Sequence, residues 1–171
     1  MKIQVPLEKG LLPGKYGSFA SESERINGKP AMSFPIKISD APANTKTFAI
    51  FMNDFDSVPV CGFAWIHWLS ANIPANISEI SEDASRYHDF EMVQGSNSNR
   101  SKFLPANSGP VMGYTGPQPP SGIHNYTLRV YALDTELELE DGYWLNEFLD
   151  KSKGHILATA ELELPFSAQE G

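Results

Sequence analysis

Hydrophobic and polar residues alternate with a period of two over several short stretches of this chain, the pattern of half-buried β-strands. Phe34, Ile36 and Ile38 alternate before the turn-forming run Asp40-Ala41-Pro42-Ala43-Asn44. Phe48, Ile50 and Met52 alternate after it, and their parity carries on to Asp54 and Asp56. From Phe63 to Ile73 both parities are apolar, with Ala64, Ile66 and Trp68 on one face and Trp65, His67 and Leu69 on the other. Such a segment predicts a central strand covered on both sides. Pro74 to about Pro110 is polar, rich in Ser and Asn and weakly periodic, and reads as a long irregular connection. A strand follows over Tyr126–Asp134, and a last one over Ile156–Leu164 puts Ile156, Ala158, Ala160, Leu162 and Leu164 on one side. Helical spacing occurs once, over Tyr143–Lys153. There Asp141 is a candidate N-cap, Leu145, Phe148 and Leu149 form the stripe, and Gly154 is the C-terminal stop. Short strands between Pro/Gly turns, with one late helix, predict a mainly β fold: an antiparallel β-sandwich with long connecting loops and a short C-terminal helix.

Composition narrows the function more than the fold. The 171 residues fit a single domain, 1–171, and the chain is long enough to bury a sizeable core. A net charge of −8 argues against nucleic acid or an anionic membrane surface as a main partner. The apolar runs fall far short of a membrane span, so no stable membrane insertion is expected. The segment Met1–Gly10 has no apolar core of the kind a secretion signal carries, and Cys61 stands alone. Both features predict a cytoplasmic protein in a reducing compartment. The Asn-x-Ser/Thr triplets at Asn76, Asn99 and Asn125 then read as chance matches to a glycosylation signal.

Candidate chemistry concentrates where a Gly/Pro loop, Gly113 to Gly122, feeds directly into a strand beginning with His124 and Tyr126. Residues two apart in a strand share a face, roughly 6.5–7 Å apart. His124 and Tyr126 therefore lie side by side on the face that Leu128, Val130 and Ala132 continue as core. Asp54 and Asp56 end another strand on its core-facing parity, and His67 lies in the most apolar stretch of the chain. Charged groups are seldom buried unpaired, so the economical arrangement sets an aspartate against a histidine. An aspartate so placed orients the ring and raises its pKa.

Two motifs give these residues a family context. The first is Asp54-Phe-Asp56-Ser-Val-Pro59 followed by Gly62-Phe-Ala-Trp65-Ile-His67-Trp68-Leu-Ser-Ala-Asn72-Ile-Pro74. The second is the segment from Gly113 to Asp134, which holds the string Gly116-Pro117-Gln-Pro119-Pro120-Ser-Gly122-Ile-His124-Asn-Tyr126. In both, the chain resembles the phosphatidylethanolamine-binding proteins, which include the Raf kinase inhibitor protein, and it looks most like the bacterial and archaeal branch. The likeness runs from about Met32 to Phe166. It departs from the family's Asp-Pro-Asp-Ala-Pro through Phe55, Ser57 and the inserted Val58, while both aspartates remain. The resemblance implies a β-sandwich with an anion pocket at one end, lined by Asp54, His67, His124 and Tyr126. Asp56 and the Gly116-Pro117 backbone should lie close by, and Trp65, Trp68 and Tyr114 are candidate apolar walls. Two imidazoles, a phenol and loop amides are mostly donors, which suits one phosphate, carboxylate or sulfate group. The family likeness also suggests self-association, as a homodimer, through surface near the pocket.

Competing classes are weighed on the same residues. Two histidines and a carboxylate are ligands for iron or zinc, but their spacing is not clustered and the resemblance implies neither metal nor other cofactor. A hydrolase would call for a nucleophile; no Gly-x-Ser-x-Gly elbow is present, Ser57 reads as a turn serine, and Cys61 reads as a buried, inert thiol near the pocket. No catalysis is therefore expected. The alternative is an interaction protein that reads a phosphorylated partner or inhibits a kinase or protease, with no particular protein partner indicated. The acidic run Asp134–Asp141 is its candidate docking face; the simpler reading is a solvated edge with Leu137 and Leu139 turned inward.

Overall fold

Residues 1–170 are described by the computed structural model. In chain order the strands are β1 (Lys2–Gln4), β2 (Arg25–Ile26), β3 (Lys29–Pro30), β4 (Ile36–Ser39), β5 (Thr47–Asp54), β6 (Trp65–Pro74), β7 (Glu79–Ile80), β8 (Val93–Gln94), β9 (Ile123–Leu133) and β10 (Ile156–Ser167). Two helices interrupt them, α1 (Val58–Cys61) and α2 (Leu145–Lys151). A five-stranded sheet has the order β10-β9-β5-β6-β8, a three-stranded sheet the order β1-β4-β7, and β2 and β3 form a hairpin. All the pairings are antiparallel.

The main core lies between the two larger sheets. Phe34, Ile36, Ile38 and Ile80 come from the small-sheet side. Phe48, Ile50, Met52, Leu128, Val130 and Leu164 come from the large sheet, on the parities expected from their alternation, and Trp68 joins them. A second cluster covers the outer face of the large sheet, where Ala49, Leu69 and Ala71 meet Leu137, Leu139, Tyr143 and Phe148. Covered on both faces, β5 is buried along nearly its whole length. The central position belongs to β5, between β9 and β6, and β6 stands one place further out. Beyond the short pairing with β8, the outer edge of β6 is closed by loops: Thr115 N donates to His67 O at 2.9 Å, and Gly95 N to Leu69 O at 2.9 Å.

Several local expectations are corrected. The 74–110 connection carries β7, β8 and a 3-10 turn at Ser98–Arg100, anchored by side chains that periodicity does not register. Asn97 Nδ2 donates to Pro110 O at 2.9 Å and Gly113 O at 3.0 Å. Asn99 Nδ2 donates to Pro110 O and to Thr115 Oγ1, so its buried amide has no room for a glycan. The helix α2 begins at Leu145, because Asp141 is engaged elsewhere, accepting from Gln94 N at 2.9 Å. Glu147 instead accepts from Trp144 N at the helix start. Phe148 packs on Tyr131 with ring centroids 5.3 Å apart, whereas Leu149 faces solvent. In the acidic run Leu137 and Leu139 are buried and Glu136, Glu138 and Glu140 exposed, the solvated-edge arrangement. The last strand runs three residues past Leu164, and a register shift between Ile156 and Ala158 leaves Ile156 exposed.

Candidate functional site

One rung of the large sheet assembles the site. Asp54, the last residue of β5, pairs with Trp65 on one side and Tyr126 on the other, so the three side chains project from the same face. His124 lies two residues before Tyr126, beyond the point where β5 ends, and its ring reaches back over the vacated edge to Asp54. His124 Nδ1 is 2.8 Å from Asp54 Oδ2, with both side chains buried. The same carboxylate accepts from Ser57 N at 3.2 Å. The buried charge is thus paired, as the cost of an unpaired one requires.

His67 reaches this face through a β-bulge. In the β5–β6 ladder Met52 pairs with Trp68 and Asn53 with Ile66, so His67 is the extra residue. Strict alternation puts His67 opposite Trp68; the bulge puts both on the inner face, where His67 packs edge-on against Tyr126 at 5.0 Å between centroids. His124 lies against Tyr126 at 6.3 Å, closer to parallel. The phenol therefore stands between two imidazoles. These rings, with Asp54, Trp65, Cys61, Gly116, Gln118 and Pro119, enclose a cavity of about 180 Å³ that opens to solvent.

Hydrogen-bond partners set the protons. His67 Nδ1 is 2.7 Å from Thr115 O, an oxygen that only accepts, so Nδ1 carries the hydrogen. Burial lowers the His67 pKa to about 4, outweighing the opposite pulls of the Thr115 carbonyl and Asp54. The raised pKa expected for a ring set against an aspartate is thus not found at His67, which is neutral near pH 7 and whose Nε2 offers a lone pair. In His124, Nδ1–H donates to the Asp54 carboxylate, which leaves Nε2 free. The Tyr126 hydroxyl is held protonated, chiefly by burial and then by the charges of Asp54 and Asp56.

The remaining expected residues divide. Gly116 lines the cavity, and a Cβ there would collide with Tyr16 O, so the close approach of this loop requires glycine. Pro117 is buried away from the cavity, its carbonyl 3.4 Å from Ser18 Oγ. Asp56 is exposed and outside the lining; β5 ends before it, and its carboxylate clamps Asn125 N at 2.8 Å. Trp68 and Tyr114 pack edge-on in the main core, at 5.4 Å, so Trp65 alone of the three supplies an aromatic wall. Cys61 is exposed at the rim, not buried. Ser57 Oγ is engaged by the Asp54 and Phe63 carbonyls and by Trp65 N, closing the turn. Lys29, Asn99, Thr115 and Gln118 line the cavity without having been site candidates from the sequence. Among the described residues no group of three or more His, Cys, Asp and Glu is placed to hold a metal, and no helix is long and apolar enough to cross a membrane.

Comparison with known proteins gives one consistent answer. The sequence pattern described as "Phosphatidylethanolamine-binding protein" matches residues 2–167. The uncharacterized protein YxkA of Bacillus subtilis is 47% identical over 154 residues, covering 90% of this chain and 92% of its own. A UPF0098 protein of Methanothermobacter thermautotrophicus is 34% identical over 165 residues, covering 95% and 94%. Among solved structures, the putative phosphatidylethanolamine-binding protein homologue CT736 of Chlamydia trachomatis superposes with a TM-score of 0.77 at 28% identity, covering 98% of this chain and 97% of that one. Escherichia coli YbcL shares the fold, with a TM-score of 0.71 at 23% identity and 98% coverage of both chains.

Proposed function

Because this chain belongs to the phosphatidylethanolamine-binding protein family, we propose that its histidine-lined cavity binds one small oxyanion, of the phosphate or carboxylate class, and acts by binding rather than catalysis. The observation that carries the proposal is the Asp54–His124 pair at the cavity wall. Because His124 Nδ1 is taken by the Asp54 carboxylate, Nε2 is the ring atom left to donate to an incoming oxygen, and with the ring charged by the bound anion that bond is charge-assisted. His67 plays the complementary part. Its neutral Nε2 accepts, which suits a head group that carries a hydroxyl or ammonium donor beside the anionic group. The cavity volume of about 180 Å³ matches a head group and little more. Trp65 and the exposed Phe63, stacked at 5.8 Å, offer an apolar rest for a short substituent.

The absence of catalysis is proposed on the same geometry. The Ser57 hydroxyl, in the turn after Asp54, is committed to backbone carbonyls, and the Cys61 Sγ faces carbonyl oxygens of Ser57 and Phe63, both at 3.3 Å. Neither is set against an imidazole in the way an activated nucleophile requires. Titration calorimetry with methyl phosphate at pH 6 tests the proposal. Replacing His124 by alanine removes the donor and is expected to cost about 1.5–3 kcal/mol of binding free energy. Equal affinities of wild type and variant would defeat it.

A further inference from the structure

The anion-binding reading leaves a charge imbalance at the cavity. Asp54 is a buried carboxylate, so a protonated His124 only cancels it, and His67 is kept neutral by burial. The groups that define the pocket therefore sum to zero at best, on a protein of net charge −8. A dianion entering such a site needs a cation from elsewhere. Lys29 is the one lysine or arginine among the residues that line the cavity, and it has no carboxylate partner among the described residues.

Its placement is built in. Lys29 follows a two-residue turn in which Asn27 and Gly28 both have positive φ, 49° and 76°, the conformation Asn-Gly favours in a tight hairpin. The hairpin pairs Ile26 with Lys29 and Arg25 with Pro30. Pro30 O accepts from Gly116 N at 2.9 Å, tying the hairpin to the cavity wall. On its other side the Lys29 stem runs against Gly109, which adopts φ +122°. A Cβ at Gly109 would fall 2.5 Å from Lys29 Cγ. The Gly109 backbone confines the stem while the residue stays half-buried at the cavity.

We infer that Lys29 is a specificity-determining residue of this site, supplying the positive charge that favours a phosphate monoester dianion over a carboxylate. The inference rests on the anion-binding reading, and Coulomb's law gives it a distinctive form. Interaction with a fixed lysine scales with ligand charge, so loss of the lysine weakens a dianion by the square of the factor by which it weakens a monoanion.

The test is an NMR titration at pH 7 with methyl phosphate and with acetate, on wild type, Lys29→Met and Lys29→Arg. A rim charge of this kind contributes about tenfold in affinity for the dianion, which corresponds to about threefold for acetate. Lys29→Met is expected to show these two factors with an unchanged melting temperature, and Lys29→Arg to restore most of the phosphate affinity. Equal losses for the two ligands, or no loss for either, would overturn the role of Lys29 while leaving anion binding intact. Failure of wild type to bind either ligand would overturn the binding reading itself, and this inference with it.

Discussion

The buried neutral histidine has a measurable thermodynamic signature. His67 has a folded-state pKa of about 4, whereas an unfolded imidazole titrates near 6.5. Below pH 6.5 the unfolded chain takes up a proton at this position that the folded protein refuses. Stability from keeping His67 neutral is thus fully present above pH 6.5, is lost as pH falls from 6.5 towards 4, and changes no further below that. The loss works out at about 1 kcal/mol by pH 5.5 and about 3 kcal/mol by pH 4. Urea denaturation monitored by tryptophan fluorescence, between pH 7.5 and 4, measures the total pH dependence. The variant His67→Asn isolates the contribution of this ring, because Asn keeps a donor for the Thr115 carbonyl but does not titrate. The variant carries a fixed, pH-independent packing penalty, and the gap between the two curves should shrink on acidification by about 3 kcal/mol. Parallel curves for wild type and variant would refute the reasoning, and would mean that the ring is hydrated or protonated in the folded protein.

Three further outcomes follow from packing and hydrogen bonding. Phe148→Ala should cost roughly 3–5 kcal/mol in chemical denaturation, since Phe148 fills the outer cluster, while leaving methyl phosphate affinity unchanged. Asn72→Ala should cost about 2–4 kcal/mol in the same assay, because Asn72 has φ 60° and its side chain bonds both Leu137 N and Leu137 O; an effect below 1 kcal/mol would contradict it. Asp56→Ala should lower stability by about 1 kcal/mol and change methyl phosphate affinity less than twofold in calorimetry, because the carboxylate clamps a backbone amide outside the cavity.

The parts of this architecture set by local pattern were legible in the sequence. Alternation identified β4, β5, β9 and β10 and the inward side of each, and with it the juxtaposition of His124 and Tyr126. Extending the β5 parity one step reached Asp54 correctly; extending it a second step to Asp56 failed because the chain turns into α1. His67 was found by its family motif, while its orientation depends on a bulge created by register with β5, and no local residue announces that register. Trp68 and Tyr114 were misplaced for the same reason, since the bulge and the 113–116 loop turn both into the core. Lys29 had a readable sign, the Asn-Gly turn before it, but its meaning depends on a contact with Gly116 some 90 residues away in the chain.

The central claim is that His124 becomes the charged donor to a bound oxyanion while His67 stays neutral. Long-range proton–nitrogen NMR of the imidazole rings, recorded at pH 7 before and after saturation with methyl phosphate, reads both protonation states at once. The account predicts that the His124 nitrogens move to the imidazolium pattern on binding, while His67 keeps a protonated Nδ1 and a bare Nε2. Saturation that leaves His124 in its neutral pattern, or that protonates His67 instead, would contradict it.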